Sequence, residues 1–300
     1  MTICVTSAWE RGPLSALHSR INASYHCQGS MKTCWKQLSF VLITTFLSCR
    51  TMAPQETGFL NRSIAVRGDD YPYSVYVPRA YDPSKRWPVI LFLHGSGERG
   101  ADGLRSTQIG VAAAIRANPE RVPAIVVFPQ APTETRWLGE PADAAMAALE
   151  ATIAEFHGDA DRVYLSGLSM GGYGTYHLAL AHPDTFAALV VVCGGLLPHD
   201  TTAAVQQSPL TRNSADPYAF TAHALRRLPI WICHGDADPV IPVEESRRML
   251  VQLRGEGADV QYNEYHGVGH NAWERAYADP ELWRWLLRQR RATRAGKTAK

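Results

Sequence analysis

The chain has 300 residues, 46% of them hydrophobic and 19% charged, with a formal net charge of +2. That is ample apolar material for one large α/β domain, and it excludes a disordered or fibrous chain. Residues 1–53 carry five bases against one acid and residues 288–300 carry six bases and no acid, so the body between them is acidic. An acidic body argues against nucleic acid as the main partner, and the basic end reads as a solvated, flexible tail over residues 291–300.

Residues 1–30 have no clear hydrophobic period and read as an upstream extension. A new pattern starts at Met31: a short basic stretch to Lys36, an apolar run from Leu38 to Leu47, then Ser48-Cys49. This is the order of a secretory signal peptide, and its apolar run is too short to span a membrane as a mature helix. Residues 31–53 are therefore expected to direct export, to the periplasm, the outer membrane or the medium. Leu47-Ser48-Cys49 is similar to a lipoprotein cleavage site with Cys49 as the lipid anchor, although Phe46 departs from the usual Leu; cleavage near Ala53 is the alternative. Peptide mass spectrometry of the mature protein from its host checks this. The expected first residue is Cys49 or one shortly after it, and recovery of peptides from residues 1–30 would contradict the reading.

From residue 54 to about 290 the pattern is that of one catalytic-size domain. Residues 63–67 and 73–77 alternate as a hairpin around Gly68-Asp69-Asp70. Continuous apolar runs predict buried strands at 89–93, 124–128, 162–166, 187–193 and 229–233, and a further strand is expected at 260–264. Helices are expected over 107–117, 141–156, 170–181, 243–253 and 280–289, with a polar stretch at 195–227. Alternating strands and helices predict an α/β fold: a mostly parallel, doubly wound sheet with helices on both faces and a small lid or none.

The most informative stretch is Gly167-Leu168-Ser169-Met170-Gly171, a G-x-S-x-G between the strand at 162–166 and the helix at 170–181. A strand turning sharply into a helix strains the corner residue and needs small neighbours two positions away. The strain lifts the serine oxygen above the sheet, and the helix N-terminus favours negative charge there. An ordinary strand–turn–helix corner is the competing reading for this motif taken alone.

A serine nucleophile needs a base, and the base needs an orienting acid. Downstream of Ser169, one strand runs into His234-Gly235-Asp236-Ala237-Asp238-Pro239, and the next leads to His266-Gly267-Val268-Gly269-His270. Asp238 lies further out, stiffened by Pro239, whereas Asp236 suits a local turn. His270 has Gly267 and Gly269 to let it reach across the sheet, and His266 reads as structural. His94 and His234 read as loop residues that hydrogen-bond the backbone.

The stretch Gly95-Ser96-Gly97-Glu98-Arg99-Gly100 has the form of a dinucleotide loop, but no helix follows at once and two strands precede the one that feeds it. The reading preferred is a backbone N–H donor for an oxyanion after His94-Gly95. No C-x-x-C or H-E-x-x-H occurs, so neither metal nor cofactor is expected. Cys193 and Cys233 lie in strand-like runs and read as buried thiols, with a disulfide between them left open.

Together, Leu93–Gly100, Gly167–Thr175, His234–Val240 and Gly269–Trp273 resemble the α/β-hydrolase superfamily. Within it they are similar to secreted bacterial esterases grouped with feruloyl esterases, polyhydroxybutyrate depolymerases and prolyl-oligopeptidase-like hydrolases. The resemblance implies Ser169 as nucleophile, His270 as base and Asp238 as its orienting acid, with the N–H groups of Ser96 and Met170 forming the oxyanion hole. It implies a serine ester hydrolase acting on a small-molecule or polymer-linked ester without a cofactor. A serine peptidase and a non-catalytic surface lipoprotein are the alternatives. Trp137, Tyr173 and Trp273 are expected to wall an open site for aromatic or bulky acyl groups, with ordinary core packing as the competing reading of the same rings.

Overall fold

The first two strands, β1 (Gly58–Val66) and β2 (Asp69–Val77), form an antiparallel hairpin in which Val66 pairs with Asp69. Its turn is Arg67-Gly68, with φ of 52° and 101°, the positive values that a tight two-residue turn requires. The turn is therefore one residue earlier than expected and the strands are longer. The structure, a computed structural model, describes residues 56–197 and 207–291. The upstream extension at 1–30, the whole expected leader at 31–53 with Cys49, and residues 292–300 lie outside the described residues.

Six more strands follow: β3 (Trp87–Leu93), β4 (Ile125–Pro129), β5 (Gly158–Leu168), β6 (Ala188–Val192), β7 (Ile230–Gly235) and β8 (Val260–Tyr265). Among the described residues they form one eight-stranded sheet in the order β1-β2-β4-β3-β5-β6-β7-β8. β2 meets β4 antiparallel, and every pair from β4 to β8 is parallel. Parallel neighbours need crossovers, supplied by α1 (Val111–Ala117), α2 (Glu140–Glu155), α3 (Met170–Ala181), α4 (Pro217–Leu225) and α5 (Glu244–Gly255). Two further helices, α6 (Trp273–Ala278) and α7 (Pro280–Arg288), close the fold.

The core lies on both faces of the sheet, as the unbroken apolar strands require. Along β3 the side chains alternate: Val89, Leu91 and Leu93 pack with α2 and α3, while Ile90 and Phe92 pack with α1, α6 and α7. All five are fully buried, each worth about 1.5–3 kcal/mol relative to exposure. This is the mostly parallel α/β architecture expected. The loops at the C-terminal ends of the parallel strands gather on one edge, where such sheets hold their sites.

Three local differences have physical causes. The helix expected from 107 begins at Val111, because Gly110 takes φ 61° and separates it from a 3₁₀ turn over Arg105–Thr107. The polar stretch contains α4, whose N-terminus is capped by Asp216 accepting from the amides of Tyr218 and Ala219, with Pro217 in the first turn. Residue 291, expected to open the tail, is held to the domain. Arg291 is tied to Asp161 by its guanidinium at 3.0 Å and by its amide at 2.8 Å, and it donates to the Asp184 carbonyl.

Cys193 and Cys233 are buried free thiols. Among the described residues, no helix is long and apolar enough to cross a membrane.

Candidate active site

Ser169 stands at the corner between β5 and α3 with φ 52° and ψ −120°. Such a conformation costs a non-glycine residue about 1–3 kcal/mol and persists only where the surroundings enforce it. Here they do. A side chain at Gly167 would collide with the carbonyl of Gly171, and one at Gly171 with the carbonyl of Leu93. The two glycines let the corner close, and the Ser169 amide donates to the Val192 carbonyl at 2.9 Å. The hydroxyl is left accessible at the N-terminus of α3.

His270 reaches this hydroxyl from the loop after β8, with Nε2 2.8 Å from Ser169 Oγ. Its Nδ1 lies 2.7 Å from Asp238 Oδ2, on the loop after β7. The Asp238 side chain is fully buried, and its Oδ1 accepts from the amides of Val240 at 2.8 Å and Ile241 at 3.0 Å. Burial alone would push its pKa up. Hydrogen bonds from His234, His270 and those two amides outweigh this and hold the carboxyl well below the usual range. Asp238 is therefore an anion at any pH where the protein works.

Asp236 does something else: it accepts from the Gly267 amide at 2.7 Å and from His266 Nδ1 at 2.8 Å. The His266 side chain is fully exposed, so this pair shapes the loop that carries His270 without entering the site.

The loop after β3 faces the serine from the other side. A methyl group at Gly95 would lie 3.5 Å from Ser169 Cβ, which places the following amide, that of Ser96, beside the corner. Ser96 opens a 3₁₀ turn and Met170 opens α3, positions whose N–H groups have no intrahelical acceptor. The loop is clamped by residues that sequence reasoning left unassigned. Gln130 donates to the Glu98 carbonyl at 3.0 Å and accepts from Gly103 N at 2.6 Å, and Arg99 donates to the Ser96 carbonyl at 2.9 Å.

His94 is the buried pin of the same loop. The Ala131 amide donates to its Nε2 at 3.0 Å, so the proton sits on Nδ1 and is donated to the Gly95 carbonyl at 2.6 Å. Burial pulls its pKa down to about 4, partly offset by the Gly95 bond, and the ring stays neutral.

The three aromatic residues divide. Trp273 meets the His270 ring edge-on at 5.4 Å and stands in the site. Tyr173 lines an adjoining pocket and donates to the Leu197 carbonyl at 3.3 Å. Trp137 does not stand free at the mouth as expected. It is 1% exposed, donates to the His94 carbonyl at 3.0 Å and packs edge-on against the His94 ring at 4.9 Å. It props the loop after β3 and turns part of its surface to the same pocket. Trp137→Ala should therefore destabilise the fold by about 3–5 kcal/mol, read from denaturant unfolding. An unchanged midpoint would contradict the prop.

Two further residues bear on the pair, His234 through the backbone bond expected of it and Cys193 as the expected buried thiol. His234 Nε2 lies 2.9 Å from the Ile241 carbonyl and 3.2 Å from Asp238 Oδ2, and its Nδ1 lies 2.7 Å from Ser246 Oγ, which fixes the acid from behind. Cys193, at φ 38°, brings its thiol within 4.8 Å of ligating atoms of Asp238 and His270. Burial pushes that thiol far above its usual pKa, so it is a neutral neighbour of the pair.

Residues 133–291 match the model of the prolyl oligopeptidase family. The chain is 32% identical over 109 residues to a probable inactive carboxylesterase of Oryza sativa subsp. japonica, covering 36% of this chain and 38% of that one. It is 28% identical over 195 residues to a probable feruloyl esterase C of Aspergillus terreus, covering 63% and 64%. Among solved structures, a thermostable esterase superposes with a TM-score of 0.66 at 30% identity, covering 78% of this chain and 63% of that one. The chain thus spans less than two thirds of the length of each of these three. The family match takes in more than half of the chain, running from the loop after β4 through the serine corner to α7, and so the chain belongs to the prolyl oligopeptidase family, on an α/β-hydrolase fold.

Proposed function

We propose that the protein is a serine hydrolase of carboxylic esters, with Ser169 as nucleophile, His270 as general base and Asp238 as the orienting acid. The observation that carries this is the continuous chain from Ser169 Oγ to His270 Nε2 at 2.8 Å and from His270 Nδ1 to Asp238 Oδ2 at 2.7 Å, assembled from three separate loops. In this reading His270 takes the hydroxyl proton as Ser169 Oγ attacks the ester carbonyl. The Ser96 and Met170 amides stabilise the oxyanion; loss of one such donor typically costs about 3–4 kcal/mol. The His270 proton passes to the departing alcohol, and a water activated by the same ring hydrolyses the acyl-enzyme. Asp238 holds Nδ1 protonated and so leaves Nε2 free to act as base.

Trp273 beside His270 supports an acyl or alcohol group with a flat face, as does the likeness to a protein named as a probable feruloyl esterase. Kinetics on acetyl, octanoyl and feruloyl esters test this. Feruloyl is expected to lead, with Trp273→Ala lowering its kcat/KM several-fold. A steady rise with alkyl length, indifferent to Trp273, would mean a lipid-type site. The family name favours a second reading, hydrolysis of an amide by the same three residues. Matched p-nitrophenyl and p-nitroanilide substrates separate the two, and the ester is expected to be the faster. The leader at residues 31–53 belongs to the same proposal, as an export signal with Cys49 as its anchor.

A further inference from the structure

Beside the serine corner lies a small pocket that is partly open to solvent. Arg136, Trp137, Met170, Tyr173, His177 and Ser208 are among its lining residues. Met170 directly follows Ser169, so the pocket adjoins the reacting centre. Most of its wall is apolar and aromatic, and among the described residues no carboxylate lines it.

Arg136 is the unusual member. Among the described residues its guanidinium has neither an ion-pair nor a hydrogen-bond partner, and its Nε is buried without an acceptor. Several other arginines are paired with acids, Arg62 with Glu155, Arg67 with Asp143, Arg162 with Asp159, Arg247 with Glu264 and Arg291 with Asp161, and among the described arginines Arg136 is set apart by its buried Nε. The acid whose charge acts on the pocket's His177, Asp143, is the one already held by Arg67 at 2.8 Å. Burial lowers the His177 pKa, so that ring is uncharged at neutral pH, and its Nδ1 is engaged with Ser208 Oγ at 2.8 Å. The positive charge in the pocket is therefore that of Arg136. Leaving a buried donor unmatched is costly, and a planar guanidinium beside aromatic walls best fits a carboxylate taken in a fork.

We infer that this pocket is a carboxylate subsite and that the preferred substrates are esters bearing a carboxylate, on either the acyl or the alcohol part, which Arg136 binds. The inference rests on the ester-hydrolase reading above. The acyl arm of the test pairs the p-nitrophenyl monoester of glutaric acid with the same ester carrying a methylated distal acid. The alcohol arm pairs 4-acetoxybenzoate with its methyl ester.

In at least one arm the anionic member is expected to lead in kcat/KM by about tenfold or more, as a charge-assisted bidentate contact allows. Arg136→Met keeps the stem and should collapse that ratio towards one, while Arg136→Lys should keep part of it. A thermal unfolding midpoint near that of the parent qualifies each variant. A readout free of turnover is calorimetric binding of benzoate and glutarate to Ser169→Ala, which should weaken about tenfold when Arg136→Met is added.

No anionic preference in either arm, or a ratio unmoved by Arg136→Met, overturns the subsite while leaving ester hydrolysis standing. If no ester is hydrolysed, the reading beneath it fails. The calorimetry then decides the subsite alone, with equal binding by the two proteins overturning it.

Discussion

Ser169→Ala should lower kcat on a p-nitrophenyl acyl ester by about 10⁴-fold or more and leave the thermal unfolding midpoint close to that of the parent. The size follows from the chemistry: the substitution removes the atom that forms the acyl-enzyme, and the residual rate comes from binding and the oxyanion donors alone. The fold should tolerate it, because Ser169 Oγ bonds the partly exposed His270 ring and no core group. Alanine at φ 52° is strained much as serine is, so the corner closes as before. His270→Ala should fall by a comparable factor, and the double variant by hardly more than either single, since the two act as a unit. A Ser169→Ala variant with kcat near the parent's would remove Ser169 from the chemistry.

Asp238→Asn should cost about 10⁴-fold in kcat, because an amide facing Nδ1 holds the wrong tautomer of His270. Asp236→Asn should stay within a few-fold of the parent. Its partners are the exposed His266 and the Gly267 amide, which shape the loop but do not touch the reacting atoms. The pair also has a signature in stability. The Asp238 pKa is depressed in the folded state, so its contribution is fully present above the unfolded value near 3.9 and is lost as pH falls towards the folded value. The gap in unfolding midpoint between parent and Asp238→Asn should accordingly be widest near pH 7 and narrow below about pH 4. Loss of activity in Asp236→Asn with Asp238→Asn unaffected would move the acid to position 236.

Sheet, helices and the serine–histidine–aspartate chain were legible because each rests on a local rule. Apolar runs mark strands buried on both faces, glycines two residues either side of Ser169 mark a tight corner, and the order of three loops follows from parallel strands. The unread parts depend on contacts between distant segments. Trp137 resembles a binding-site aromatic in its loop, and only the fold reveals that it props His94, 43 residues earlier in the chain. Gln130 was silent for the same reason, and His234, legible as a backbone-bonding loop residue, gave no sign of its contacts to Asp238 and to Ser246 on α5. Arg136 is marked by a buried Nε without an acceptor, and a missing acceptor has no sequence signature. Helix α4 was missed although Asp216-Pro217 is a recognisable start, because its flanks are polar and no apolar stripe announced it.

The most direct test of the central claim is the intact mass of the protein after incubation with a p-nitrophenyl alkylphosphonate, followed by peptide mapping. The phosphorus takes the place of the ester carbonyl carbon, and an activated serine displaces p-nitrophenolate to leave a stable adduct. The expected result is one adduct per chain, on the peptide containing Ser169, formed as activity is lost and absent from both Ser169→Ala and His270→Ala. Full inactivation with the adduct on another residue, or equal labelling of the His270→Ala variant, would contradict it.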